Sequence, residues 1–259
     1  MDNNPPLEIA GKKITNRFFL GTGKFGSKAE MMKCISDSEI EVVTIAMRRV
    51  EAEESSENLL EFIPDDVILM VNTSGARNAE EAVRIARLAR EAAGVDWIKI
   101  EVINDSKYLL PDNNETIEAV RVLSSEGFTV FPYMSPDLYA ARAMEKAGAA
   151  ALMPLGSLIG SGEGLKAKKF IEILIKESSL PIVVDAGIGR PSQAAEAMEM
   201  GADAVLANTA VALADDPGNA TMAFSLAVRA GRLAWLGKMA DPRKDAAASS
   251  PLTGFLFED

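Results

Sequence analysis

The chain has 259 residues, 48% of them hydrophobic and 25% charged, which is the composition of a globular protein with a sizeable core. Its formal net charge of -11 repels phosphate backbones, and no basic run with interleaved aromatics compensates, so we expect no nucleic-acid partner. Because no apolar stretch reaches the roughly 20 residues of a membrane span and the N-terminus lacks a signal-peptide pattern, we expect a cytoplasmic protein without a membrane partner.

The first predicted element is an extra strand within "LEIAGKKI", residues 7–14. Eight short runs rich in Val, Ile, Leu or Phe follow, separated by amphipathic stretches. In chain order they are "RFFLG", "EVVTIAM", "VILMVNT", "DWIKIEV", "GFTVFPY", "AALMPLG", "PIVVDAG" and "DAVLANT". Strands that alternate with helices at this spacing predict repeated βαβ units and a parallel sheet.

The stretch "NAEEAVRIARLAREAAG" is typical of the helices between these strands. Asn78 and Glu81 predict a capping box at its start, and Gly94 stands where a helix C-cap belongs. Its apolar residues include Ala82 and Val83 and fall on one face, which predicts a helix packed against a sheet with its other face in solvent.

Eight strands with intervening helices either close into a barrel or form an open, doubly wound sheet. The glycines of "GTGKFG" after the first strand resemble a dinucleotide-binding fingerprint only weakly, so we favour the barrel. The predicted fold is α/β, a (β/α)8 TIM barrel that forms a single domain over residues 1–259. We place the barrel at about 15–235, with the extra strand below it and a loop-like C-terminal tail at about 240–259.

The fourth apolar run carries a lysine and a glutamate in its middle. Because side chains alternate along a strand, Lys99 and Glu101 share one face with Trp97, while Ile98 and Ile100 point towards the helices. Both charges then project into the barrel, near the strand ends where active sites of such barrels lie. The lysine is either part of a structural ion pair or a desolvated amine that attacks a carbonyl, and the pattern leaves both readings open.

Asp185 ends the seventh predicted strand. Ser192, after Pro191, is the better candidate for the next helix cap, which leaves Asp185 to face the barrel mouth. The glycines that follow Asp185 permit backbone N–H groups to converge on an anion, and Asn208 and Thr209 end the adjacent eighth strand. With the glycine-rich loop "GSLIGSGEG" after the sixth strand, these features predict a phosphorylated ligand.

The chain contains no histidine and one cysteine, Cys34. These counts remove the commonest general base and the commonest metal ligand, and they exclude an internal disulfide and a thiolate metal cluster. We therefore expect no metal and no cofactor, with amine, carboxylate and backbone groups carrying any chemistry.

Many stretches in register resemble the thiazole synthase family of bacterial thiamin biosynthesis. They include "LGTGKF", "WIKIEVI", "MPLG..IGSG.G", "PIVVDAGIG.PS.AA.AME.GADAVLANTA" and "ASSPLTG". The resemblance implies a (β/α)8 barrel whose lysine, here Lys99, forms a Schiff base with 1-deoxy-D-xylulose 5-phosphate. It implies that Glu101 and Asp185 transfer protons. It also implies a substrate phosphate site at Gly160, Ala186, Gly187, Asn208 and Thr209.

The same resemblance implies the reaction partners. A ubiquitin-like sulfur carrier protein delivers sulfur as a thiocarboxylate, dehydroglycine condenses, and loss of water closes the thiazole ring. The family also implies a homotetramer. Two rival hypotheses remain: a class I aldolase or isomerase acting on a sugar phosphate, and a non-catalytic barrel in which Lys99 is locked in an ion pair.

Overall fold

The computed structural model describes residues 4–46, 63–240 and 244–246, and its first element is a β-hairpin. Strand β1 (Leu7–Ile9) pairs antiparallel with β2 (Lys12–Ile14). The turn residues Ala10 and Gly11 both have positive φ, 47° and 76°, as the tightest hairpin turns require. The sequence predicted one extra strand here; the two-residue turn makes it two.

Eight further strands form a parallel sheet, as the sequence predicted, although all eight are shorter than the apolar runs. They are β3 (Phe18–Gly21), β4 (Val42–Ala46), β5 (Ile68–Asn72), β6 (Trp97–Ile100), β7 (Thr129–Met134), β8 (Met153–Pro154), β9 (Val183–Val184) and β10 (Ala204–Ala207). Neighbours along the chain pair in order from β3 to β8, and β10 pairs with both β3 and β9.

The remaining contact, between β8 and β9, closes the sheet into a barrel. Val183 N–H donates to Leu152 O at 2.9 Å, and Asp185 N–H donates to Pro154 O at 3.0 Å. Isolated parallel bridges join the same two segments. The predicted (β/α)8 TIM barrel in a single domain is therefore confirmed, and the doubly wound alternative is wrong.

Helices follow the strands around the outside of the barrel. They are α1 (Lys28–Asp37), α2 (Ala79–Ala93), α3 (Asn113–Ser125), α4 (Leu138–Ala147), α5 (Lys168–Glu177), α6 (Pro191–Glu199), α7 (Thr209–Ala212) and α8 (Pro217–Leu236). No helix within the described ranges is both long enough and apolar enough to cross a membrane. The predicted apolar tip of the tail, Phe255 to Phe257, lies outside the described residues.

Local signals at two helix starts differ from the prediction. Asn78 accepts from Glu81 N–H at 2.9 Å as expected, but the Glu81 carboxylate accepts from Arg77 N–H, also at 2.9 Å, and not from the N-cap itself. The expected cap Ser192 lies inside α6. The start of the helix is capped by Gln193 instead. Its side-chain oxygen accepts hydrogen bonds from the N–H groups of the two residues before the helix.

The core has two layers, one inside the barrel and one between the strands and the helices. The inner layer contains Trp97 and Phe131, whose ring centroids are 4.7 Å apart, while Ile98 and Ile100 belong to the outer layer. This confirms the predicted two faces of β6. Leu7, Ile9 and Ile14 of the hairpin pack into the inner layer, so the hairpin closes the amino-terminal end of the barrel.

Candidate active site

Lys99 lies near the carboxyl end of β6, between two carboxylates. Its Nζ is 3.0 Å from Oε1 of Glu101 and makes a closer ion pair with Oδ2 of Asp185. Each of the three residues is more than nine-tenths buried. The barrel thus brings together the three residues that the sequence singled out for chemistry.

The charges of this cluster do not balance, because one ammonium faces two carboxylates. Burial by itself would lower the pKa of Lys99, but Asp185 and Glu101 outweigh it and raise the pKa above the ordinary lysine value. Burial raises the pKa of Asp185, and the contact with Lys99 offsets part of that rise. The lysine therefore rests as an ammonium ion beside a carboxylate that is easier to protonate than usual.

Hydrogen bonds to the backbone groups of Glu101 and Asp185 fix the positions of these two residues. The Thr73 hydroxyl, just after β5, donates to Glu101 O at 3.0 Å and accepts from Glu101 N–H at 2.9 Å. Gly156 N–H donates to Asp185 O at 2.9 Å. Thr73 was missed by sequence reasoning, and its place at the end of a predicted strand was the only signal for it.

A cavity of about 460 Å³ opens above Lys99 at the barrel mouth. Volumes in this range are typical of small-molecule sites. All eight residues that the sequence predicted for the site line it: Lys99, Glu101, Gly160, Asp185, Ala186, Gly187, Asn208 and Thr209.

The segment after β9 presents its backbone to the cavity in an uncommon conformation. Ala186 and Gly187 have φ values of 64° and 74°, and a Cβ on Gly187 would overlap Ser157 Oγ. Only glycine fits there. Within the described ranges, the N–H groups of Gly187 and Gly160 donate to no protein acceptor, so both remain available to an anion.

Lys24, in the loop after β3, supplies a cation that sequence reasoning did not assign. Its Nζ donates to Thr209 Oγ1 at 3.3 Å, and a Cβ on Gly160 would lie 3.9 Å from the same nitrogen. Oriented as a donor, the nitrogen of the Asn208 amide lies 3.0 Å from the carbonyl oxygen of Gly21. Asn208 thus contacts the end of β3, and Lys24, Gly160 and Thr209 lie close together in the same cavity wall.

Tyr133, on β7, is the third residue that was missed. It is 1% exposed, its hydroxyl has no hydrogen-bond partner among the described residues, and its ring centroid lies 5.4 Å from Lys99 Nζ at the cavity wall. Burial raises its pKa, and so do the charges of Asp185 and Glu101, so the phenol is neutral and can donate a hydrogen bond. In the part of the chain that is described, no group of three acidic or cysteine side chains could hold a metal ion.

Fold and site together define a class of protein, a (β/α)8-barrel enzyme with a buried lysine between two carboxylates at its mouth. The family model of thiazole biosynthesis protein ThiG matches residues 8–251. The chain belongs to that family, which confirms the resemblance found in the sequence.

Relatives and solved structures agree with this assignment. The thiazole synthase of Alkaliphilus metalliredigens is 60% identical over 252 residues, covering 97% of this chain and 98% of the relative. The thiazole synthase of Pelotomaculum thermopropionicum is 59% identical over 250 residues, covering 96% and 98%. The crystal structure of the Amycolatopsis orientalis BexX/CysO complex includes a chain that is 33% identical, with a TM-score of 0.82, covering 95% of this chain and 100% of that one.

Proposed function

We propose that the protein is a thiazole synthase that builds the thiazole phosphate moiety of thiamin through a Schiff base on Lys99. The substrates are 1-deoxy-D-xylulose 5-phosphate, dehydroglycine and the thiocarboxylate of a ubiquitin-like sulfur carrier. Family membership and the names of the relatives support the activity. The observation that carries the mechanism is the buried Lys99, paired with Glu101 and Asp185 beneath an open cavity.

Imine formation requires that Lys99 first lose a proton, since the ammonium ion has no lone pair. Asp185, with its raised pKa, is placed to accept that proton when the ketone enters. The free amine then attacks the carbonyl carbon and gives a carbinolamine. Protonation of its hydroxyl by one of the two carboxylic acids lets it leave as water and produces the imine.

The substrate phosphate is proposed to occupy the far side of the cavity. Lys24 contributes a positive charge, and the backbone N–H groups of Gly160 and Gly187 contribute hydrogen bonds. Thr209 supplies a hydroxyl and Ala186 part of the wall. A phosphate held there would keep the ketone end of the substrate near Lys99.

The later steps need repeated proton transfer. Tautomerisation of the imine moves carbonyl character to the neighbouring carbon, the carrier thiocarboxylate delivers sulfur to it, and condensation with dehydroglycine ends with loss of water. Glu101 and Asp185 flank Lys99 and are proposed to move these protons.

Delivery of sulfur requires that a partner protein reach the barrel mouth. The solved relative BexX was crystallised in complex with CysO, which supports a protein partner for this fold. A homotetramer and a cytoplasmic location are further expectations from the family.

The first experiment is borohydride trapping with 1-deoxy-D-xylulose 5-phosphate, followed by peptide mass spectrometry. We expect a reduced adduct on Lys99. Lys99→Arg should give no adduct and reduce turnover by more than about a thousandfold, because a guanidinium cannot form the imine. The matched control is Lys176→Arg on the exposed side of α5, which should keep both adduct and turnover.

Trapping alone does not separate a thiazole synthase from a sugar-phosphate aldolase or isomerase, since all three use the same imine. Dependence of turnover on the thiocarboxylated carrier separates them. Binding of the sugar phosphate without an adduct would instead favour the non-catalytic barrel with Lys99 in a fixed ion pair.

A further inference from the structure

Asn72, the last residue of β5, lies beside Lys99 on the inner wall of the barrel. The two residues are Cα partners in the parallel pairing of β5 with β6. Paired residues of neighbouring strands, about 4.8 Å apart, project to the same face of a sheet. Met70, two residues earlier, belongs to the inner layer of the core, and Asn72 itself lines the cavity at the mouth. Its side chain therefore enters the cavity next to the lysine.

The side-chain amide of Asn72 has one end occupied and the other end free. Its oxygen accepts from Ser74 N–H at 3.2 Å, a turn that fixes the direction of the amide. Its nitrogen, Nδ2, donates to no acceptor among the described residues. Asn72 is half-buried, and Nδ2 is not sealed from solvent as the Tyr133 hydroxyl is. The amide thus offers N–H groups to the cavity and turns its oxygen towards the backbone.

The neighbours of Asn72 on the adjacent strands give Nδ2 no acceptor. Ala46, its Cα partner on β4, has no polar side chain. Lys99, its partner on β6, is itself a donor, and its ammonium group is held by Asp185 and Glu101. In the substrate-bound site, the expected acceptor for Nδ2 is therefore an atom of the substrate.

Asn72 lies away from the proposed phosphate site. That site is formed by the loops after β3, β8 and β9 and by the start of α7, around Lys24, Gly160 and Thr209. In the barrel, β4 separates β5 from β3, and both β6 and β7 separate it from β8. The position of Asn72 therefore suits the carbon chain near the imine and not the phosphate.

We propose that Asn72 is a further catalytic residue, whose amide donates a hydrogen bond to the substrate oxygen on C3, the carbon next to the imine carbon C2. This inference rests on the proposed function, since the imine on Lys99 brings C3 beside the lysine. In the tautomerisation, the protonated imine loses the C3 hydrogen as a proton to a carboxylate and gives an enaminol. Return of a proton to C2 and loss of the hydroxyl proton leave an amine at C2 and a carbonyl at C3, so no oxidant or reductant is needed.

A fixed donor favours this conversion because the C3 oxygen changes from a hydroxyl to a carbonyl. A hydroxyl both donates and accepts, whereas a carbonyl oxygen only accepts. A donor that is already in place stabilises the oxygen as its carbonyl character develops. A neutral amide does so without changing the charge shared by Lys99, Glu101 and Asp185.

The first test follows the C3 hydrogen without carrier or dehydroglycine. The full chain is incubated with 1-deoxy-D-xylulose 5-phosphate in deuterium oxide, and deuterium at C3 is measured by mass spectrometry. Asn72→Ala should slow this exchange by about tenfold or more, since a hydrogen bond to the developing carbonyl is lost, and should keep the borohydride adduct on Lys99. Asn114→Ala, which removes an exposed asparagine on α3, is the matched control and should change neither measurement.

A second substrate separates contact with the C3 oxygen from a structural role. The 1,3-dideoxy ketose phosphate keeps the ketone and the phosphate but offers Asn72 no oxygen at C3, and its C3 hydrogens still exchange through an enamine. Wild type and Asn72→Ala should exchange this analogue at rates within about twofold of each other, because the contact that the substitution removes is already absent. A purely structural role would slow exchange of both substrates alike.

The outcomes separate this inference from the proposed function. In full turnover with the thiocarboxylated carrier, the loss in Asn72→Ala should appear in kcat, with KM for the sugar phosphate unchanged. No adduct on Lys99 of the wild type would overturn the proposed function and this inference together. An adduct on Lys99 with equal C3 exchange in wild type and Asn72→Ala, or an equal loss with both substrates, would overturn the role of Asn72 alone.

Discussion

At the scale of single residues, the chemistry depends on one ammonium ion shared by two carboxylates. Lys99 is held as a cation in the resting site, because Asp185 and Glu101 raise its pKa despite burial. A nucleophilic amine must therefore be released by proton transfer within the cluster. This explains why the pair that stabilises the lysine is also the pair proposed to serve as acid and base.

This view predicts the pH dependence of imine formation. Lys99 is protonated at neutral pH, so the rate of adduct trapping should rise as the pH increases towards its raised pKa. Glu101→Gln removes an anion that favours the ammonium form of Lys99. The rise in trapping rate with pH, which we call the rising limb, should therefore move to lower pH by about one unit or more. Glu91→Gln on exposed α2 should leave the limb unchanged. An unshifted limb in Glu101→Gln would show that this carboxylate does not act on Lys99.

Tyr133 provides a second prediction at this scale. Tyr133 lines the cavity, and its buried hydroxyl has no hydrogen-bond partner among the described residues, so we expect a substrate oxygen to be the acceptor. Tyr133→Phe should lower kcat/KM about three- to tenfold, through loss of one neutral hydrogen bond, and leave the free energy of unfolding unchanged or slightly higher. The control is Tyr139→Phe, whose side chain is 77% exposed. If only stability changes and the kinetics do not, Tyr133 has a packing role alone.

At the scale of elements, the loops after β8 and β9 are fitted to each other. Gly164 N–H donates to Gly187 O at 2.8 Å, and a Cβ on Gly189 would lie 2.6 Å from Gly162 Cα. The glycines therefore allow close backbone contact as well as turns. That contact shapes the side of the cavity where the phosphate is proposed to bind.

Two glycines with similar backbone angles test this point. A Cβ on Gly187 (φ 74°) would overlap Ser157 Oγ, whereas a Cβ on Gly94 (φ 64°) would meet nothing within 4 Å. Gly94→Ala should lower the free energy of unfolding by only about 1 kcal/mol, because alanine is less stable than glycine in the left-handed conformation. Gly187→Ala should cost more and also raise KM for the sugar phosphate. If both variants lose the same unfolding free energy and KM does not change, the contact between the two loops does not contribute to phosphate binding.

At the scale of the whole molecule, the barrel separates stability from chemistry along its axis. The hairpin residues close the amino-terminal end, the inner layer of Trp97 and Phe131 fills the middle, and Lys99 lies at the mouth. Substitutions at the closed end should therefore affect the fold more than the reaction.

Ile14 tests this separation, because it is fully buried where the hairpin meets the barrel. Ile14→Ala should lower the free energy of unfolding by about 2–5 kcal/mol, measured with urea, and leave kcat unchanged below the unfolding transition. Lys13→Ala on the exposed side of the same strand should change stability by less than about 0.5 kcal/mol. A fall in kcat as large as that of an active-site variant would contradict the separation.

The sequence by itself determined the barrel, the two faces of β6, the left-handed Gly94 and the family. These features follow from local periodicity, turn chemistry and motifs in register, all of which are properties of neighbouring residues. The limits of the domain and the roles of the site residues stay predictions.

Only the tertiary structure decided which remote groups meet. It placed Asp185 against Lys99, brought Lys24 to Thr209, and put Tyr133 in the cavity wall. Such contacts depend on the register at which the barrel closes and on the direction of each side chain, and neither is encoded by residues adjacent in sequence.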